Sequence, residues 1–290
     1  MSWPLAPGAR QPDTPIWANG RIVRGDEAAT SLFDRGTRDG GGIFETLRVY
    51  DGRPFAWQRH MERLVLAAAE LGFPVPPRPS AMRDAIGELL DAQSLRDAVV
   101  RITVTRGIAG GRPTRAGAWI DAQPLGARLW RGTRSGDAAA IVSPLVFDLG
   151  WMGAYKTTSR MAWDLAREQA IAIGADEALL VSSSGELLEG SASNVFVVKG
   201  GEVLTPPLSS RILPGVTRAV VLQLCAELGI PARECVLQAG GLRECESLFL
   251  TNSVQEILPV ATLDGRALPS RDVPQRLLAA YREHVAAQRD

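Results

Sequence analysis

Along most of the chain, apolar and polar residues alternate or recur at helical spacing in short blocks, and the blocks predict the elements. Ile16-Trp17-Ala18 and Arg21-Ile22-Val23 flank Asn19-Gly20, and Ile43 to Tyr50 and Arg53 to Trp57 flank Asp51-Gly52. Both read as hairpins on two-residue turns. Helical spacing begins near His60, with Met61, Leu64, Val65, Ala68 and Leu71 on one face. Pro74, Pro76, Pro77 and Pro79 end that helix, and Ser80 stands where it would cap the next, which runs to about Ala92. Ala98 to Thr105 and Ala118 to Ala122 have the composition of strands. Residues 1–125 thus read as a small α+β domain, and the polar, Gly-rich stretch 126–137 as a linker.

The remainder, 138–290, reads as a second domain. A strand from Ala138 to Val142 precedes a helix from about Ser159 to Ile173. Short strands follow at Glu177 to Val181, Glu186 to Glu189, Asn194 to Val198 and Glu202 to Thr205, then a helix from about Thr217 to Leu228. A strand near Ser247 to Leu250 and a last helix from about Val273 to Ala287 complete the pattern. Strands outnumber what a doubly wound sheet supplies, and no internal repeat is visible. The class is mixed α/β (α+β), with substantial antiparallel pairing.

Composition narrows the function classes. Basic and acidic residues balance at 32 each, so no overall field draws the chain to nucleic acid or an anionic membrane. No run of about 18 uncharged apolar residues suggests a spanning helix. The Pro-rich start, MSWPLAPGARQPDTP, has no apolar signal-peptide core. Cys225, Cys235 and Cys245 have no zinc-type spacing and fit reduced thiols in the cytosol. Histidine occurs only as His60 and His284, which leaves no multi-histidine metal site.

The scarcity of lysine is more informative. Every basic residue except Lys156 and Lys199 is arginine. Arginine cannot form an imine with an aldehyde, so a retained lysine is a candidate for that chemistry. Lys199 sits in the turn Lys199-Gly200-Gly201, where a solvated charge is the ordinary reading. Lys156, in Trp151-Met152-Gly153-Ala154-Tyr155-Lys156-Thr157-Thr158-Ser159, lies between an apolar stretch and a helix start. On position alone it is as consistent with a surface lysine before a helix cap as with a nucleophile. Leu213-Pro214-Gly215-Val216-Thr217-Arg218 opens a helix with free amides and a hydroxyl, which suits a phosphate or an ordinary cap. Glu189, before Gly190-Ser191-Ala192-Ser193-Asn194, suits a buried anion or a polar turn. Arg63 flanks the apolar face of its helix, at the place of a phosphate partner or a rim salt bridge.

Their order along the chain carries more than any one of them. Asp39-Gly40-Gly41-Gly42-Ile43-Phe44-Glu45-Thr46-Leu47-Arg48, then HMERL, YK, LLEGSASNVF, TPPLSSRILPGVTR and FLTNSVQEILPV, resembles the class IV (fold type IV) pyridoxal-phosphate family from Ile16 to about Leu268. That family holds branched-chain and D-amino-acid aminotransferases and aminodeoxychorismate lyase. The resemblance implies pyridoxal 5'-phosphate as cofactor, a small N-terminal and a larger C-terminal domain with the cofactor at their junction, and a homodimer in the cytosol. It implies Lys156 as the Schiff-base lysine and proton carrier, and Glu189 as partner of the pyridine nitrogen. Arg63, Val216, Thr217 and Ser253 would hold the phosphate, Leu213 would pack on the ring, and Phe44 would line the substrate pocket.

Two departures steer the choice of reaction. Branched-chain members carry a tyrosine five residues after the lysine, and Met161 stands there instead. Arg106-Gly107-Ile108-Ala109-Gly110-Gly111-Arg112 resembles a loop of the lyase, although Pro113-Thr114 replace its Gly-Tyr. The expectation is therefore 4-amino-4-deoxychorismate lyase, releasing pyruvate and 4-aminobenzoate, with Arg112 and Arg106 meeting substrate carboxylates. The alternative is an aminotransferase of a D-amino acid, branched-chain or related amine. A Schiff-base aldolase or a non-catalytic vitamin-binding module are the readings from other classes.

Overall fold

The computed structural model describes residues 13–108, 116–130 and 137–288. The chain divides into two compact units, one of Met1–Thr133 with Tyr155–Ser159 and one of Arg134–Ala154 with Arg160–Asp290.

The first unit contains β1 (Pro15–Ala18), β2 (Arg21–Arg24), a short α1 (Arg35–Asp39), β3 (Gly42–Tyr50), β4 (Arg53–Pro54), α2 (Trp57–Glu70), α3 (Pro79–Ala92), β5 (Ala98–Thr105) and β6 (Ala118–Pro124). Its six strands form one sheet in the order β2-β1-β6-β5-β3-β4. Asn19 and Gly20, and Asp51 and Gly52, take positive φ, as two-residue turns between right-twisted strands require. Along β3 the side chains of Ile43, Leu47 and Val49 join Met61 and Leu64 of α2 and Met82, Ile86 and Leu89 of α3 in one core. Glu45 belongs to the same alternating set, so a carboxylate is folded into an otherwise apolar layer.

Local expectations needed three corrections here. The strand expected at Arg53 to Trp57 stops at Pro54, because Ala56 adopts a left-handed conformation and α2 starts at Trp57 rather than near His60. Ser80 is not the cap of α3; Arg78 precedes it and Pro79 opens it, where a missing N–H costs nothing. Val65, expected on the buried face of α2, is 41% exposed, and His60 and Ala67 are buried instead.

The second unit contains β7 (Ala138–Val146), α4 (Met161–Ala172), β8 (Glu177–Val181), β9 (Leu187–Gly190), β10 (Asn194–Lys199) and β11 (Glu202–Thr205), followed by α5 (Val216–Glu227), β12 (Ala232–Glu234), β13 (Ser247–Asn252), β14 (Glu256–Leu263), β15 (Arg266–Ala267) and α6 (Asp272–Ala287). These nine strands form a sheet ordered β12-β11-β10-β13-β14-β7-β8-β9, with β15 on β14. The pairs β11–β12, β14–β7 and β7–β8 are parallel and the others antiparallel. Phe147, Ala166, Ala170, Leu180, Leu188 and Ile212 pack together beneath α4, whose small residues let the helix approach the sheet. Phe196 and Phe249 stack across β10 and β13 with ring centroids 4.8 Å apart. Among the described residues no helix is long and apolar enough to cross a membrane.

Candidate active site

The edge of β3 that does not pair with β5 is completed by residues far along the chain. Phe44 N donates to the Lys156 carbonyl at 2.9 Å, Thr158 N donates to the Gly42 carbonyl at 2.9 Å, and Ile43 bridges Thr157. Lys156 is thereby pinned at the backbone, and its Nζ lies 4.8 Å from the centroid of the buried Phe44 ring. Arg101 of β5 lies against the same ring, its guanidinium carbon 3.7 Å from the centroid. Two cations thus share one aromatic ring, an arrangement favoured by its quadrupole. Tyr155, next to the lysine, donates its hydroxyl to Glu70 at 2.8 Å.

Beside Phe44 in the chain, Glu45 is 1% exposed. Arg63 forks onto it, Nε to Oε1 and Nη2 to Oε2, each at 2.7 Å, and His60 Nδ1 lies 2.7 Å from Oε2. Burial alone would raise the Glu45 carboxyl, but Arg63 and His60 hold it at about 2. Burial pushes His60 below its ordinary value; Glu45 partly restores it, while the charges on Arg63 and Lys156 depress it further. Arg106 lies 5.8 Å from the Phe73 ring. Arg112 lies outside the described residues.

The second unit gathers the other predicted residues. Glu189, at the end of β9, is buried, and its Oε2 accepts from Leu213 N at 3.1 Å and from Asn194 Nδ2 at 3.4 Å. Asn194 Nδ2 also donates to the Leu213 carbonyl at 3.0 Å. Gly215 precedes α5, and a Cβ there would collide with the Asn194 side chain. Among the described residues no side chain caps α5, so the amides of Val216 and Thr217 open its N-terminus, and Thr217 is itself buried. Opposite Asn194 in the strand register, Thr251 is 1% exposed and its hydroxyl meets no acceptor or donor among the described residues. Ser253 stands in the turn after β13, which Asn252 shapes by accepting from Val254 N at 2.9 Å and Gln255 N at 2.7 Å.

The geometry brings Lys156, Phe44 and Arg63 into one unit and Glu189, Leu213, Val216, Thr217 and Ser253 into the other. Met161 opens α4 and is 78% exposed. Lys199 pairs with Glu244 at 2.6 Å on an exposed turn, as a solvated charge does. Sequence reasoning missed Glu45, His60, Arg101 and Asn194; an acidic residue at an inward strand position was the one available signal.

Comparison with known proteins decides the family. Residues 42–263 match the family described as Amino-transferase class IV. This chain belongs to that family. It is 31% identical over 268 residues to the branched-chain-amino-acid aminotransferase of Escherichia coli (strain K12), covering 86% of this chain and 85% of that one. It is 30% identical over 254 residues to the D-alanine aminotransferase of Bacillus licheniformis, covering 87% and 89%. The branched-chain amino acid aminotransferase of T.th., solved with pyridoxamine 5'-phosphate, superposes with a TM-score of 0.84 at 28% identity over 94% of each chain. The class IV aminotransferase assignment agrees with the resemblance read from the motifs, and the mixed α/β fold agrees with it. These relatives are aminotransferases, so the family supports the aminotransferase alternative above the expected lyase.

Proposed function

We infer that the protein is a pyridoxal-phosphate aminotransferase acting on an amino acid. The observation that carries the reading is the pair of cations on Phe44: an amine able to form an imine stands beside a guanidinium able to hold a carboxylate. The residues present fit the cofactor. An uncapped helix N-terminus and an orphaned buried hydroxyl suit a phosphate, and a buried carboxylate suits a protonated pyridine nitrogen. The lyase reading leaned on Arg112, which lies outside the described residues, and on Arg106, which lies against Phe73.

Bound at Lys156, pyridoxal phosphate supplies an electron-accepting ring that stabilises the charge left when a proton leaves the substrate carbon. Lys156 would hold the cofactor through its amine, and its Nζ would serve as the proton carrier. Its backbone clip to β3 fixes the root of that side chain, whose Nζ lies 4.8 Å from the Phe44 ring centroid. Glu189 turns its carboxylate to the pyridine end, with Leu213 N and Asn194 Nδ2 donating to its Oε2. In the second unit, Val216, Thr217 and Ser253 take the phosphate. In the first unit, Arg101 orients the substrate carboxylate and Phe44 supplies an apolar wall; in the second, Leu213 offers an apolar face to the ring. Assembly as a homodimer belongs to the same proposal, and light scattering reads it directly.

The test is a half-reaction with D-alanine, L-leucine and L-glutamate. One of them should release its keto acid in an amount equal to the enzyme, and Lys156→Ala should abolish both this and the borohydride-trapped lysine adduct. Release of 4-aminobenzoate from 4-amino-4-deoxychorismate, with no keto acid from any amino acid, would overturn the reading in favour of the lyase.

A further inference from the structure

Glu177 is a fully buried carboxylate that the proposed chemistry does not use. It opens β8, and the turn after Glu189 wraps around it. Its Oε1 accepts from Ala178 N at 3.0 Å, from Ser191 N at 3.1 Å and from the Ser191 hydroxyl. Its Oε2 accepts from Ala192 N at 3.1 Å and from Ser193 Oγ at 2.8 Å. Gly190 leaves room for this, because a Cβ there would meet the Ser193 hydroxyl and lie 2.9 Å from Glu177 Oε2.

The turn held in this way leads to both ends of the cofactor's partners. Glu189 precedes it and Asn194 follows it, and the two meet each other and Leu213. From the middle of the turn the Ala192 carbonyl accepts from Asn252 Nδ2 at 3.0 Å, and Asn252 Oδ1 in turn holds the amides that shape the Ser253 turn. A carboxylate can accept all these donors at once, whereas an amide must direct its own N–H groups against some of them.

We propose that Glu177 is a positioning residue: by organising the Gly190–Ser193 turn it sets Glu189 for the pyridine end of the cofactor and, through Asn252, the Ser253 turn for the phosphate end. The inference rests on the roles proposed for Glu189 and Ser253. Binding of pyridoxal phosphate and of pyridoxal, which lacks the phosphate, to the cofactor-stripped protein separates the two arms.

Glu177→Gln should weaken both probes by roughly tenfold or more, and should shift the pH at which the yellow band of the reloaded protein titrates. Asn252→Ala should weaken pyridoxal phosphate by roughly tenfold and leave pyridoxal nearly unchanged. The double variant Ser191→Ala/Ser193→Ala keeps the Glu177 side chain and should weaken both probes by an intermediate factor, which preserves the test if Glu177→Gln fails to fold. A lower melting midpoint in the Glu177 and serine variants, with both affinities and the band titration unchanged, would overturn the proposal. So would equal losses for both probes in Asn252→Ala. A parent protein that binds neither probe would overturn the cofactor reading instead.

Discussion

Glu45 and Glu177 are both carboxylates with at most 1% exposure, yet the two units satisfy them in different ways. Glu45 is met by charge: the Arg63 fork and His60, all at 2.7 Å. Glu177 is met chiefly by neutral N–H and O–H groups of one turn, with the half-buried Arg167 of α4 as a nearby opposite charge. The first arrangement ties stability to proton concentration, because Glu45 and His60 both titrate away from their ordinary values there. The second ties a backbone shape to one side chain. A buried anion can therefore serve as an electrical node or as a template, and its donors tell which.

The largest effect expected is from Glu45→Ala, which leaves Arg63 and His60 facing an empty space. Breaking a buried ion pair from one side costs about 3–5 kcal/mol, readable as a lower urea midpoint at pH 7. A loss under about 1 kcal/mol would mean that the pair is solvated and that the contrast with Glu177 is overdrawn.

Acid should come next. Both shifts in this cluster are downward, so below each group's ordinary value the unfolded chain binds more protons than the folded one. Stability should start to fall as pH drops below 6.5, where His60 ordinarily titrates, and fall again from 4.5 towards about 2 as Glu45 does. The Glu45 part is on the order of 3 kcal/mol. Denaturation curves at stepped pH should show the lower phase flatten in Glu45→Gln. Constant stability from pH 7 down to 3 would contradict the electrical reading.

The smallest effect is expected at the template. Ser193→Ala removes one of several donors to Glu177 and should cost about 1 kcal/mol, with the acid profile of the parent retained. A changed acid profile in this variant would show that the Glu177 cluster is as electrical as that of Glu45.

Much of this contrast was illegible in the sequence. The hairpins were readable because Asn-Gly and Asp-Gly admit positive φ, and most strands because their alternation is clean. β14 escaped, since Pro259 interrupts a run that would otherwise read as a strand. Lys156 was singled out by the near absence of other lysines, and Glu189 by motif order. Glu45 and His60 are 15 residues apart, and Glu177 and Ser193 are 16 apart, so neither pair has a local signature. Such partners exist only after a strand and a helix, or a strand and a turn, have been brought together. Arg101 was hidden for the same reason, as one polar position in a β-branched run whose neighbour across the sheet supplies the ring.

The clip between Phe44 and Lys156 also has a consequence in time. The ribosome delivers β3 roughly 110 residues before the segment that completes its edge, an interval of roughly 6–20 s at ordinary elongation rates. For that interval the nascent first unit carries a bare strand edge at Gly42 to Phe44, open to pairing with another chain. Its closure is a long-range contact that cannot form early, so the lysine reaches its place only after the strand that opens the second unit has emerged.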